Sequence, residues 1–177
     1  MLHWHFIMMR RISNASVLAL GKYKRCFMTD IKSLYQEIIL DHGRHPRCFG
    51  ELEPCDCSLE GLNPVCGDRI KVFLEMTPNQ EIKRLQFNGE GCAISVAAAS
   101  LLCGMLTGLS KTDALKILKD FQHMLTGDED PEPTLKKLAV LAGVKAYPTR
   151  VKCATLAAHA IQALLTEQLD KVVSTEG

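Results

Sequence analysis

The chain has 177 residues, of which 47% are hydrophobic and 23% charged, which is enough for one globular domain with a sizeable core. The net charge of +1 hides an asymmetry, because residues 1–29 hold five basic and no acidic side chains, while the rest holds 16 basic and 20 acidic ones. A mildly acidic body argues against nucleic-acid binding, and no apolar run approaches the length of a membrane span.

The first 27 residues are basic, lack acidic side chains and contain two serines, loosely like an organellar transit peptide. The plainer interpretation is that Met28 is the working start and that the preceding stretch is a disordered extension or follows from a mis-called start. We therefore expect a leader over 1–27 and one domain over 28–177. We also expect a cytoplasmic protein, with an organellar matrix as the alternative if the leader is a transit peptide.

Apolar residues recur at helical spacing from Ile31 to Ile39, which predicts a first helix. Thr29 or Asp30 would be its N-cap, and Gly43 would end it. The loop-like segments HPRCFG and EPCDC follow.

A small sheet is predicted next. The alternating segment RIKVFLEM, residues 69–76, reads as a strand, TPNQ as a turn and EIKRLQF, residues 81–87, as a second strand. Residues 59–65 supply a third strand just before Cys66.

The remainder is predicted to be helical. One helix covers 93–106, a second is capped by Ser110, a short one covers 135–141, and a long one covers 150–169. The acidic loop GDEDPEP separates the second from the short helix. Strands followed by helices predict an α+β fold, with a small antiparallel three-stranded sheet and helices packed on one side.

Eight cysteines in so short a chain would fit a disulfide framework in an oxidising compartment. The N-terminus offers no signal-peptide core, because its longest apolar stretch after Arg11 is only VLAL. Reduced thiols that bind metal or react are therefore favoured.

Three segments place a cysteine at a junction between predicted elements: PVCGD, GEGC and RVKC. Cys66 and Asp68 would face the same way in extended backbone. Cys92 would lie at a helix start, where the dipole favours a thiolate, and basic neighbours would favour the Cys153 thiolate. Three thiolates and one carboxylate suit Zn²⁺, and three thiolates equally suit an iron–sulfur cluster. The spacing alone leaves a metal site and buried structural thiols about equally favoured.

Four segments closely resemble the iron–sulfur cluster assembly proteins of the IscU/NifU-like family: LYQEIILDHGRHPRCFG, LNPVCGDRIKV, FNGEGCAISVAAASLL and RVKCATLA. The resemblance covers about residues 29–168 and implies the SufE/NifU-like fold. It implies metal or cluster ligands at Cys66, Asp68, Cys92 and Cys153.

Two features distinguish the branches of this family. A histidine precedes the last cysteine in the IscU branch, whereas Lys152 stands there in this chain, and the stretch between the second and third cysteines is long. Both features resemble the SufU branch. That resemblance implies a bound Zn²⁺ and a zinc-dependent sulfurtransferase that accepts persulfide sulfur from a SufS-type cysteine desulfurase. Cys66 would leave the metal and attack the persulfide, while the other three ligands stay.

Two other functions stay open. The same residues could hold iron or a [2Fe–2S] cluster, in which case the protein is a scaffold that passes the cluster to a downstream scaffold or apo acceptor proteins. The site could also be a structural zinc module without sulfur chemistry.

Two further candidates have alternative interpretations. Arg150 either stabilises a thiolate during ligand exchange, and so takes part in catalysis, or lies in solvent. Cys55 and Cys57 could form a second metal half-site, but loop thiols without such a role are favoured.

Overall fold

The computed structural model describes residues 36–127, 131–168 and 173–175. These residues fall within one unit that begins at Gln36. The predicted leader over 1–27 and the predicted helix start at Thr29 or Asp30 lie outside the described residues. So does the centre of the acidic loop, at 128–130. None of the described helices is both long enough and apolar enough to cross a bilayer.

The sheet contains four strands in the order β3-β2-β1-β4, where the prediction was three. They are β1 (Cys57–Asn63), β2 (Asp68–Met76), β3 (Ile82–Glu90) and β4 (Val173–Ser174). The first three pair antiparallel, as predicted. β4 pairs parallel to β1 over only two residues, after the chain has returned from the last helix. So short a segment carries no alternating pattern, and its pairing is non-local, so the sequence pattern could not indicate it.

The two faces of the sheet differ as the alternation predicts. In β2, Ile70, Val72 and Leu74 on one face are buried, while Arg69 and Lys71 on the other face are exposed; Phe73, which follows on that second face, is buried. The exposed face carries ion pairs, among them Arg69 to Glu60 on β1 at 3.0 Å. The described helices lie against the buried face, where their apolar side chains join those of the strands in one core. Helices on one side of the sheet are therefore confirmed.

The helices are α1, whose described residues are 36–44, α2 (Ala93–Leu106), α3 (Lys111–Thr126), a 3₁₀ segment (Pro133–Ala146) and α4 (Pro148–Leu165). The prediction for α2 is confirmed at both ends, and Ser110 caps α3 by accepting a hydrogen bond from the Asp113 N–H at 3.1 Å.

Three helix predictions needed correction. Gly43 lies inside α1 and does not end it. The short helix predicted over 135–141 is a 3₁₀ segment, broken at Lys136, where φ is +44°. α4 ends at Leu165, four residues before the predicted end, and Thr166 follows as its C-cap.

The core lies between the sheet and the pair α2 and α4. Ala97, Ala98 and Ala99 of α2 are fully buried, and their small side chains let the helix lie close to its neighbours. α4 packs across β1 and β2, whereas α2 packs mainly on β3. This arrangement brings the β1–β2 turn, the start of α2 and the first turns of α4 to one end of the sheet.

Candidate metal centre

The β1–β2 connection, residues 64–67, is a turn closed by the directly paired residues Asn63 and Asp68. Gly67 has φ of +70°, a left-handed conformation that glycine adopts without strain. Cys66 therefore lies in a turn and not in the extended backbone predicted for it. The turn still brings the Cys66 thiol and the Asp68 carboxylate together, as predicted.

Three of the predicted ligands form a cluster. The Sγ atoms of Cys66 and Cys153 and a carboxylate oxygen of Asp68 all lie within 4.8 Å of one another. Asp68 and Cys153 are buried, while Cys66 is half-buried. The cluster draws on a turn, a strand and α4, so its geometry depends on the packing of all three elements.

Cys92, the fourth predicted ligand, lies next to this cluster but outside the 4.8 Å group. It is the N-cap of α2, as predicted, and its backbone N–H donates to Oδ1 of Asp68 at 2.8 Å. Its thiol is close enough to interact with that of Cys153. Asp68 thus supplies the side-chain acceptor at the start of α2, where an anion is favoured by the helix dipole.

The cluster is short of positive charge. Burial raises the pKa of the Cys153 thiol, and the adjacent Asp68 carboxylate and the Cys66 and Cys92 thiols raise it further. Asp68 itself is only 1% exposed, and none of the ion pairs found among the described residues includes it. A buried carboxylate beside thiols is costly unless a cation compensates it.

Arg150 is a cation that the structure brings near the thiols. Its side chain is exposed, and negative charge on Cys92, Cys153 and Cys66 raises the pKa of its guanidinium. The side chain lies on the first turn of α4, three residues before Cys153. Arg150 is therefore close enough to stabilise a thiolate that has left a metal.

Asn63 is a functional candidate that the sequence analysis missed. Its side chain is 0% exposed, and Nδ2 donates to Oδ2 of Asp68 at 3.1 Å and to Sγ of Cys153 at 3.3 Å. One signal was available, because Asn63 shares the buried face of β1 with Leu59 and Gly61. A polar residue on the apolar face of a strand indicates a specific partner.

The donor set fits a metal ion such as Zn²⁺. Thiolate and carboxylate ligands are those that Zn²⁺ takes in tetrahedral sites, and the missing positive charge would be supplied by the ion. Gly91 contributes space, because a Cβ at this position would lie 3.0 Å from Oδ1 of Asp68. The residues Cys66, Asp68, Cys92 and Cys153 would hold the ion.

The other described cysteines are not part of this cluster. Cys103 is fully buried in α2, and burial raises the pKa of its thiol well above the ordinary value. Cys57 was predicted to be a loop thiol, but it is the first residue of β1 and half-buried. Cys55 and Cys48 are half-buried thiols.

Comparison with known proteins identifies the family. A model of the NifU-like N terminal domain matches residues 34–154, which is more than half of the chain and includes all four predicted ligands. The chain belongs to the NifU-like N terminal domain family. The resemblance noted from the cysteine segments is thereby confirmed.

Within the NifU-like family, relatives of both branches are similar to this chain. The zinc-dependent sulfurtransferase SufU of Bacillus subtilis is 35% identical over 137 residues, which cover 77% of this chain and 92% of the relative. The iron–sulfur cluster assembly scaffold protein IscU of Streptococcus pyogenes is 33% identical, covering 76% of this chain and 84% of the relative.

A solved structure supports the same fold. The putative iron–sulfur cluster assembly scaffold protein for the SUF system from Fervidobacterium islandicum is 31% identical, with a TM-score of 0.69 over 73% of this chain and 94% of that one. The SufE/NifU-like α+β fold implied by the resemblance is confirmed, with the fourth strand as the one difference from the predicted sheet.

Proposed function

We propose that this protein is a zinc-dependent sulfurtransferase that accepts persulfide sulfur for iron–sulfur cluster assembly. The observation that carries the proposal is the cluster of Cys66, Asp68 and Cys153 within 4.8 Å, with Cys66 as its half-buried member on a turn. The similarity to a protein named as a zinc-dependent sulfurtransferase supports the same activity.

Zn²⁺ is the metal favoured by the donor set. Two clustered thiols, the nearby thiol of Cys92 and one carboxylate make four ligands of the kinds that a tetrahedral zinc site takes. Bound Zn²⁺ would keep its thiol ligands deprotonated and shielded until one of them leaves. Asp68 and Cys153 are buried and held by hydrogen bonds, whereas Cys66 sits on a turn and is accessible to a partner.

The transfer step follows from that difference in exposure. The Cys66 thiolate attacks the outer sulfur of a persulfide on a partner's cysteine, and a new sulfur–sulfur bond forms on Cys66. The partner's inner sulfur leaves as a thiolate with the electron pair of the broken bond, so neither an oxidant nor a reductant is consumed. Arg150 stabilises the negative charge on the free Cys66 thiolate while it is off the metal.

The partner that fits this step is a SufS-type cysteine desulfurase, which carries its sulfur as a cysteine persulfide. The receiving proteins would be a downstream cluster scaffold or apo acceptors. The functional domain would lie over 28–177, a range that includes the family match over 34–154. Its reduced thiols require a reducing compartment such as the cytoplasm.

A second candidate function is that of a scaffold for a [2Fe–2S] cluster. The observation that favours it is that Asp68 offers an oxygen donor in a cluster otherwise made of thiols. An oxygen donor binds iron less strongly than a thiolate, so a cluster held partly by Asp68 would be released more readily. The similarity to relatives named as scaffold proteins supports this candidate.

Metal analysis separates the two functions. We expect protein purified in air to hold about one zinc per chain, as a four-ligand site requires. After anaerobic reconstitution with iron and sulfide it should show no stable iron–sulfur absorbance. A stable cluster that transfers to an apo acceptor would overturn the sulfur-relay function and favour the scaffold.

A desulfurase assay separates sulfur transfer from a purely structural zinc site. The assay measures alanine release by a cognate cysteine desulfurase with and without this protein. Stimulation that is lost in the Cys66→Ala variant is the expected result. Equal alanine release in both conditions would favour a structural zinc module.

A further inference from the structure

Asn63 occupies a position that links the ligands of the proposed site. It is the last residue of β1 and lies directly opposite Asp68, the first residue of β2, in the antiparallel pair. The side chain is completely buried. A buried amide is stable only where its polar atoms find partners, so its contacts define its role.

Both N–H groups of the Asn63 side-chain amide donate hydrogen bonds to proposed metal ligands. One goes to Oδ2 of Asp68 at 3.1 Å and the other to Sγ of Cys153 at 3.3 Å. The amide oxygen, Oδ1, has no partner among the described residues. The reverse orientation would set this oxygen against a carboxylate and a sulfur, two acceptors, so the observed orientation is the favourable one.

These bonds divide the ligands into two kinds. Asp68 is held at both oxygens, by Asn63 and by the backbone N–H of Cys92, and Cys153 is held by Asn63 on the rigid α4. None of the hydrogen bonds found among the described residues brings an N–H group onto the Cys66 sulfur. The Cys92 sulfur receives no N–H group in this network either, but Cys92 is the N-cap of α2, whereas Cys66 lies in a turn. Cys66 is thus the thiol ligand with the fewest constraints.

We propose that Asn63 is a positioning residue that makes Cys66, and not Cys153, the reactive ligand, by holding Asp68 and Cys153 in place through its amide nitrogen. This inference deepens the proposed function and rests on it. An N–H group that donates to a thiolate stabilises the charge on that sulfur and makes it a weaker nucleophile. Asn63 therefore lowers the reactivity of Cys153 and leaves that of Cys66 unchanged.

The test measures which cysteine of the zinc-loaded, full-length protein reacts first. Limiting iodoacetamide is added, and mass spectrometry follows alkylation of the peptides that contain Cys66, Cys153 and Cys103. Two variants remove the amide donor at similar volume, Asn63→Asp and Asn63→Leu. The matched control is Asn88→Leu, because Asn88 is half-buried on β3 and its amide nitrogen bonds Glu51 at 3.4 Å.

In the parent and the control we expect Cys66 to react at least about ten-fold faster than Cys153. In both Asn63 variants this ratio should fall several-fold, and zinc affinity should fall by about 10–100-fold, as when a ligand loses an outer hydrogen-bond partner. Burial alone predicts an unchanged ratio, since Asn63→Leu keeps Cys153 covered. Cys103 reports on folding, because it is fully buried and reacts only if the chain opens.

Two results would overturn the proposal. One is an unchanged ratio of Cys66 to Cys153 reactivity in a variant whose Cys103 stays protected. The other needs no variant: Cys153 reacting as fast as Cys66 in the zinc-loaded parent. A parent that binds no zinc at all would refute the proposed function itself, and is thereby distinguishable from a failure of the Asn63 proposal.

Discussion

Asp68 accepts two N–H groups within the protein, one from the Asn63 amide and one from the Cys92 backbone. These neutral donors orient the carboxylate without neutralising it. A carboxylate that is 1% exposed and lacks an ion-pair partner among the described residues calls for a cation. At the scale of single residues, Asp68 and Cys153 are therefore held by hydrogen bonds and Cys92 by its place at the start of α2, whereas Cys66 lies in a turn.

Alanine substitutions should separate these two kinds of ligand. Cys66→Ala should keep much of the zinc and lose sulfur acceptance, because the held ligands remain. Cys153→Ala should weaken zinc binding by more than about 100-fold, beyond the cost of losing an outer-shell partner. Zinc per chain and persulfide on the protein, measured on the same samples, check both expectations. Full sulfur acceptance by Cys66→Ala would contradict its assigned role.

Arg150 is expected to act on the reaction and not on metal loading. It is exposed and lies near three thiols, so its charge matters most once a thiolate is off the metal. Arg150→Ala should keep zinc content at the parent level and reduce stimulation of the desulfurase about three- to five-fold, as befits one exposed charge pair. Stimulation and zinc content that both equal those of the parent would show that Arg150 has no such role.

At the scale of elements, the start of α2 is shaped to receive the carboxylate of β2. The side chain of the N-cap residue Cys92 forms no capping hydrogen bond. Instead, the Asp68 carboxylate on β2 accepts a hydrogen bond from the backbone N–H of Cys92. Gly91 makes the approach possible, since an added Cβ would lie 3.0 Å from Oδ1 and 3.2 Å from Cβ of Asp68. Such contacts force the neighbouring side chain to shift by a few tenths of an ångström.

Gly91→Ala should therefore displace the carboxylate while the fold persists. We expect zinc affinity to fall about ten-fold, since metal ligands tolerate little movement. Gly104→Ala is the matched control, because an added Cβ there meets nothing within 4 Å. That variant should bind zinc normally and gain about 0.5–1 kcal/mol of unfolding free energy as a helix position. Chelator competition and urea unfolding measure the two effects. Equal zinc affinities in the two variants would refute the packing argument.

The elements also show what the sequence could predict. Both ends of α2 were predicted correctly, because its run of alanine and leucine and the glycines before it are local signals. The 3₁₀ segment and β4 were missed because a backbone break at Lys136 and a two-residue parallel pairing depend on tertiary packing. Local pattern predicts an element where its own residues decide it, and fails where a distant neighbour does.

The candidate site divides in the same way. Cysteine and aspartate are common metal ligands, so their residue types alone make them candidates in the sequence. Three of the four predicted ligands do cluster. The residue type of Asn63 does not make it a candidate, because its proposed role depends on a hydrogen bond to Cys153, 90 residues further along the chain. No spacing rule connects those two positions, so only the packing of α4 against β1 could show the contact.

At the scale of the whole molecule, metal binding and folding are coupled. The ligands come from the β1–β2 turn, β2, the start of α2 and α4, and these elements enclose one core. Zinc that binds only when they are assembled stabilises the entire fold. Each thiol that loses a proton on binding also makes the zinc-loaded protein more stable as the pH rises towards the thiol pKa.

Cys103 gives the opposite dependence at alkaline pH, and it can be tested separately from the metal. Burial raises the pKa of its thiol well above the ordinary value of 9.0. Above pH 9 the unfolded chain has therefore lost this proton while the folded chain retains it, so stability falls as the pH rises. The loss should approach about 1.4 kcal/mol per pH unit for this one thiol.

The measurement is urea unfolding at several pH values from 8 to 10, at constant zinc, for the parent and for Cys103→Ala. The variant leaves a small cavity, which lowers its unfolding free energy by an amount that does not depend on pH. Its curve should therefore fall less steeply than that of the parent above pH 9, because the buried thiol no longer titrates. Parallel curves over this range would mean that Cys103 is not the protonated, buried thiol that the fold of α2 requires.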